Sequence, residues 1–252
     1  MIIRRDLVKW TLSTILVIIG VFILIRLGFW QLERLESRRA FNEHYLTQIS
    51  AKPIFLNDHN NYEEIAQMEY RQISVSGFYD FNQEFYLQNQ AYQNVPGYRI
   101  VTPLLIENKN IAVYIDRGWI AFEDLDNINN INNKFSEKQM VSGIVRKSQP
   151  DFNLFNKSTN QNQTNKFYLY VDLENLQSRT NYEITPFYIQ LENKDNNEKP
   201  YSQLSEIDIS EGPHFGYALQ WFFFASLLGI GYPFFVRKQL SEKKIGMGND
   251  DI

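Results

Sequence analysis

The chain has 252 residues, a formal net charge of −4 at pH 7 and no cysteine. That charge gives no reason to expect nucleic acid as a partner. The lack of thiols excludes disulfides, thiolate metal sites, thiol catalysis and copper handling by a cysteine pair. A mean hydropathy of −0.38 points to a soluble protein, but the average hides two strongly apolar blocks around a polar middle.

The first block, Leu7 to Ile25, has no charge after Lys9; the second, Tyr217 to Val236, has none at all. Each is long enough for a helix to cross the ~30 Å hydrocarbon layer. Few helices of soluble proteins are apolar on every face over that length. No small-residue cleavage site follows the first block, which continues Arg26-Leu27-Gly28-Phe29-Trp30, so an uncleaved anchor is expected and not a signal peptide. Arg237, Lys238, Lys243 and Lys244 follow the second block, while Glu206, Asp208 and Glu211 precede it. By the positive-inside rule both termini are then cytoplasmic and the middle lies outside. No Arg- and Ser-rich amphipathic transit segment precedes the first anchor, which favours a bacterial inner membrane with a periplasmic domain. The expected division is a cytoplasmic N-terminus over 1–6, spans over 7–25 and 217–236, an extracytoplasmic domain over 26–216 and a cytoplasmic tail over 237–252.

Past the first span the helical pattern continues through GFWQLERLESRRAFNEHYL, with Trp30 and Arg34 on one face, and Pro53 ends it. Short runs rich in Tyr, Phe, Val and Ile then predict strands at Tyr70–Phe78, Glu84–Gln88, Tyr98–Glu107, Ile111–Ile120, Gln139–Val145, Phe167–Val171 and Phe187–Leu191. Glu107-Asn108-Lys109-Asn110 has the length of a hairpin loop, and a short helix is expected from Leu173 to Arg179. Two asparagine-rich tracts, Asp126–Asn133 and Asn153–Asn165, read as surface loops. The fold class is therefore a membrane protein whose two terminal transmembrane α-helices flank one mainly antiparallel-β (α+β) domain outside the cytoplasm.

Chemistry-bearing motifs are sparse. The three histidines, His44, His59 and His214, show no zinc-ligand spacing. No GxSxG, P-loop or GxGxxG occurs, so an enzyme is not expected. His214 stands just before the second apolar block, and if a helix starts near Pro213 it shares a face with Tyr217 and Trp221. Two readings are open: an interfacial aromatic belt with a histidine at headgroup level, or an imidazole ligand for a metal porphyrin lying against the membrane surface. Arg117-Gly118-Trp119 has two readings as well. It is either a strand bend with Trp119 packed and Arg117 paired to Asp116 or solvent, or a place where Arg117 meets a carboxylate such as a haem propionate and Trp119 lies on a flat ring.

Taken in order, several segments carry a resemblance. They are Leu27-Gly28-Phe29-Trp30-Gln31-Leu32-Glu33-Arg34; Glu69-Tyr70-Arg71 with Val75 and Gly77; Gly97-Tyr98 through Val101-Thr102-Pro103-Leu104; Asp116-Arg117-Gly118-Trp119-Ile120; Ser142-Gly143-Ile144-Val145-Arg146; Asn165-Lys166-Phe167-Tyr168 with Asp172-Leu173; and His214 with Tyr217, Ala218 and Trp221. Between two terminal spans this series resembles the surfeit locus protein 1 family, assembly factors of haem–copper cytochrome c oxidase. The resemblance implies a biogenesis factor that binds haem a and assists its insertion into subunit I. Its partners would be that subunit, the haem a synthesis and assembly proteins, and the lipid bilayer. The histidine matching His214 is the family's candidate contact to haem iron, and Tyr217, Trp221, Trp30, Arg117 and Trp119 are candidates to line the site. Departures from the family pattern are Gly212-Pro213 before the histidine, Ala121 after the Arg-Gly-Trp segment and Phe167 in place of a Trp. The alternative role is a membrane scaffold for oxidase subunits that never holds haem. A transmembrane sensor is not expected, because the segments flanking the spans are short.

Overall fold

The computed structural model describes residues 2–148, 166–192, 199–202 and 207–247. The chain forms two compact units: residues up to Glu43 together with those from Asp208 onward, and His44–Ile207.

Helix α1 runs from Ile2 to Ser50. Its 49 residues give a rod of roughly 70 Å, more than twice a bilayer's hydrocarbon thickness. The helix therefore extends well past the apolar block, as the pattern after Trp30 predicts, and stops before Pro53.

The second unit is a sheet domain. In chain order it holds β1 (Ile54–Phe55), α2 (Tyr62–Ala66), β2 (Gln72–Tyr79), β3 (Phe85–Tyr92), β4 (Val95–Ile106), β5 (Ile111–Ala121), α3 (Ile128–Asn133), β6 (Gln139–Lys147), β7 (Phe167–Tyr168), α4 (Leu173–Gln177) and β8 (Glu183–Leu191). The strand order is β1-β2-β6-β8-β5-β4-β3-β7, and a further β2–β4 pairing closes β2, β6, β8, β5 and β4 into a barrel-like ring. Most pairings are antiparallel, as expected; β5 and β8 run parallel. Each predicted strand exists, with shifted ends. β8 starts four residues earlier than Phe187, because Pro186 falls where the β5–β8 register slips and no ladder N–H is needed.

The alternation of β5 explains the cores. Ile111, Val113 and Ile115 point into the ring with Val75, Leu104, Val145, Phe187 and Ile189. Ala112 and Tyr114 point out, where Leu173 and Leu176 of α4 cover them. Both faces of β5 are thus buried, which suits an almost wholly apolar run.

The tract Asp126–Asn133 corrects an expectation. It is not a loop: a 3-10 turn over Phe122–Asn127 leads directly into α3. Ile128 and Ile131, spaced i and i+3, pack on the cluster of Tyr86, Ile100 and Ile120. Composition marks the tract as polar, but its two isoleucines are spaced for one helix face. The second tract, Asn153–Asn165, lies outside the described residues.

Helix α5 spans His214–Met247, with Pro233 inside it. Pro213 supplies the carbonyl that accepts from Tyr217 N at 3.1 Å, so the helix starts where the sequence places it. Among the described residues, α1 and α5 are the two helices long and apolar enough to cross a membrane. Within their unit they pack side by side: Trp10 meets Phe235, Tyr232 reaches Ser13 and Thr14, Gly20 and Val21 lie by Leu228 and Gly229, and Phe29 meets Phe222 edge-on. At Gly28 a Cβ would lie 2.6 Å from the Phe222 ring, so this glycine admits the partner helix's aromatic side chain.

Candidate functional site

The strongest site candidate of the helical unit lies at the start of α5. His214 Nδ1 sits 2.9 Å from Gln31 Oε1. An amide oxygen only accepts, so in this contact Nδ1 is the donor, and Nε2 makes no hydrogen bond to Gln31. Gln31 is buried, as are Leu35, four residues on in α1, and Ala218, four residues after His214 in α5. The buried seam on α5 follows His214 with Ala218 and Ala225, while Tyr217 is 47% exposed and Trp221 half-buried against Phe224. On α1, Trp30 is 45% exposed, one residue before Gln31. The imidazole thus has one nitrogen held by a neighbour, and Trp30, Tyr217 and Trp221 of the same helix pair are at least partly exposed.

The chain entering α5 is strapped to α1. Arg39 Nε and Nη2 donate to Glu211 Oε1 and Oε2, both at 2.8 Å. Arg38 donates to the carbonyls of Asp208 and Ser210, and Asn42 Nδ2 donates to that of Ile209 at 2.6 Å. The Arg39 fork and its charge hold the Glu211 carboxyl below its ordinary value. Asp208 is lowered too, first by the Ser210 backbone N–H and then by the Ser210 hydroxyl. These contacts fix the last turn of chain before His214, a role for Arg38, Arg39 and Asn42 that sequence reading alone does not assign. Gln31 was visible within the Leu27–Arg34 motif, but nothing in the sequence pairs it with His214.

Arg117 and Trp119 belong to the sheet domain. The expected partner of Arg117 was Asp116 or solvent, and the structure corrects this. Successive strand residues point to opposite faces, so Asp116 faces Arg99 of β4, 2.7 Å from its Nε. Arg117 turns into the ring, is 3% exposed and donates to Glu84 Oε2 at 3.0 Å and Asn132 Oδ1 at 2.6 Å. Glu84 also accepts from Thr102, Tyr86 and Asn132. Rings of Tyr79, Phe81 and Phe135 lie 4.8–5.4 Å from the guanidinium carbon. Burial lowers the Arg117 pKa from its ordinary value, with Tyr79 and Glu84 opposing that shift; burial also raises the Tyr79 hydroxyl.

Trp119 is similarly enclosed. Its ring stacks near Tyr201, 6.3 Å away and tilted 22°, and near Tyr92 at 5.5 Å, while its backbone exchanges two hydrogen bonds with Tyr201. Both residues therefore have protein partners within their own domain. The signal for this was the strand period, which separates Asp116 from Arg117.

The other histidines make local contacts: His59 Nδ1 with the Phe55 carbonyl, His44 with the Tyr70 ring. Among the described residues, no group of three or more His, Asp or Glu is placed to hold a metal ion.

Comparison with known proteins settles the family. The model of the SURF1 family matches residues 18–226. The chain belongs to the SURF1 family. A SURF1-like protein of Rickettsia felis is 26% identical over 237 residues, covering 91% of this chain and 99% of that protein. A Rickettsia conorii SURF1-like protein is 27% identical, covering 91% of this chain and 93% of that one. A Saccharomyces cerevisiae relative, Cytochrome oxidase assembly protein SHY1, is 27% identical over 124 residues, 48% of this chain and 32% of that one. The family match takes in Gln31, the whole sheet domain and His214, and reaches into both terminal helices.

Proposed function

We propose that the protein is a non-catalytic biogenesis factor for haem–copper cytochrome c oxidase that holds haem a and assists its insertion into subunit I. Family membership and the name of the yeast relative support the assembly role. The observation that carries the haem reading is the His214–Gln31 pair. A histidine that ligates iron through one nitrogen commonly has the other nitrogen's N–H fixed by an acceptor, and Gln31 is such an acceptor. Tyr217, Trp221 and Trp30 supply aromatic surface around the imidazole. Arg117 and Trp119 are left out of this reading: they lie in the sheet domain, packed with Glu84, Tyr92 and Tyr201, with Arg117 Nη2 and Trp119 Nε1 buried and unpartnered among the described residues.

Haem is cargo here. With Nδ1 held by Gln31, Nε2 is the nitrogen that would meet the iron. The strap from Arg38, Arg39 and Asn42 would keep the imidazole from swinging as haem arrives and leaves. The basic residues after the second span support cytoplasmic termini and a periplasmic domain in a bacterial inner membrane. Haem a synthesis proteins and subunit I would then meet His214 at the outer end of the helix pair.

The test is complementation of a strain lacking the protein. Wild type should restore haem a in subunit I, and His214→Ala at normal protein level should not. Full restoration by His214→Ala would sink the haem reading and leave a scaffold for oxidase subunits that never touches haem.

A further inference from the structure

At the other end of the helix pair, α1 and α5 form a cleft of about 490 Å³. Its size is within the range of small-molecule sites. One wall is apolar, made by Pro233, Val236 and Leu240; the other is polar, with Thr14, Tyr232, Arg237 and Ser241. The Tyr232 hydroxyl is fixed 2.7 Å from Ser13 Oγ and 2.9 Å from Thr14 Oγ1, so the polar wall is tied across both helices. Arg237 has no carboxylate partner among the described residues, whereas its neighbour Lys238 lies 4.0 Å from Glu242. A free guanidinium beside hydroxyls, at the end of an apolar groove between two membrane helices, matches an acidic phospholipid in charge and in polarity.

We propose that this cleft binds an anionic phospholipid of the membrane, with the phosphate on Arg237 and the glycerol and upper acyl carbons along Pro233, Val236 and Leu240. Charge complementarity selects the occupant: the wall offers donors and one cation, and no carboxylate. The proposal needs only the two membrane helices and is independent of haem.

The test uses the full chain in nanodiscs of equal phosphatidylglycerol and phosphatidylcholine, released into native mass spectrometry to count retained lipid. Wild type should retain phosphatidylglycerol preferentially. Arg237→Gln should lower that retention roughly fivefold, the factor expected from one basic residue's attraction to an acidic headgroup. Lys238→Gln, outside the cleft, should leave it within about twofold on the same scale. Leu240→Trp, which fills the groove without changing charge, should also remove it, so the outcome does not hang on one charge variant. Equal retention of the two lipids would overturn the proposal. So would wild-type retention in Arg237→Gln or Leu240→Trp, or an equal loss in Lys238→Gln. Release of the lipid by excess inorganic phosphate would assign the site to free phosphate. Subunit I copurification lost in Leu240→Trp, with lipid retention unchanged, would assign the groove to a partner helix.

Discussion

Glu84 in the sheet domain and His214 at the head of α5 are both polar side chains set among apolar neighbours, and the protein surrounds one with donors and gives the other a single partner. Glu84 receives donors from Tyr86, Thr102, Arg117 and Asn132, and Arg117 is boxed by aromatic rings. His214 has one bond, to Gln31, with a second nitrogen left over. A dense network stabilises one arrangement, although Arg117 Nη2 and the neighbouring Trp119 Nε1 are buried without a hydrogen-bond partner among the described residues. Under the proposed function, an imidazole held at one nitrogen offers the other to a ligand. The contrast separates a densely hydrogen-bonded carboxylate in the sheet domain from a singly bonded imidazole on the helix pair, where the proposed function places the haem contact.

Truncating the closed centre should cost most. Glu84→Ala leaves Arg117 buried without its carboxylate, a loss of about 3–5 kcal/mol. The sheet domain should melt early in thermal unfolding of the detergent-purified protein, and an unchanged transition would show that the network is not holding the ring together. Gly118→Ala is next. Gly118 has φ +124°, and a Cβ there would lie 2.6 Å from the Tyr201 carbonyl oxygen, so about 1–3 kcal/mol should be lost. A midpoint equal to wild type would mean that the 199–202 segment does not brace Trp119.

The open centre should respond in binding instead of stability. Gln31→Leu removes the acceptor for Nδ1 and should weaken haem a affinity roughly tenfold, the low end for such partners because water can replace it. Gln31→Glu, which keeps an acceptor, should recover most of that affinity in the same Soret titration. If Gln31→Leu binds as wild type does, the tautomer is not set by Gln31.

The smallest effect concerns the strap ahead of His214. Asp208 and Glu211 are both lowered in the folded chain. Their contribution is therefore fully present above the ordinary carboxylate values, 3.8 and 4.5, and fades as pH falls through the lowered ones. Hydrogen exchange over 208–211 should stay slow at neutral pH and speed up in acid, and Arg39→Ala should remove the pH dependence contributed by Glu211. Exchange that is already fast at neutral pH would show that the strap does not hold.

Much of the fold could be read from residue pattern alone. The two apolar blocks, the continuation of α1 past Trp30, the run Ile111–Ile120 and the start of α5 after Pro213 each carry a local signal, and local signals survive folding. Ring closure by β2 and β4 and the parallel β5–β8 pair were not readable, because nothing near Gly77 or Ile189 names a distant strand as its partner. The asparagine tract misled for a related reason: Ile128 and Ile131 find apolar partners only once β3, β4 and β5 have assembled. For the site, His214 was visible from its place at the edge of an apolar block. Gln31 was not, since its partner lies 183 positions away in sequence.

The central claim is that His214 Nε2 is the ligand for haem. An optical spectrum of protein purified from cells making haem a tests it most directly, for wild type and His214→Ala, with and without added imidazole. The expected result is a haem a spectrum in wild type, its loss in the variant and partial recovery with imidazole. A variant that keeps the wild-type spectrum would contradict the claim.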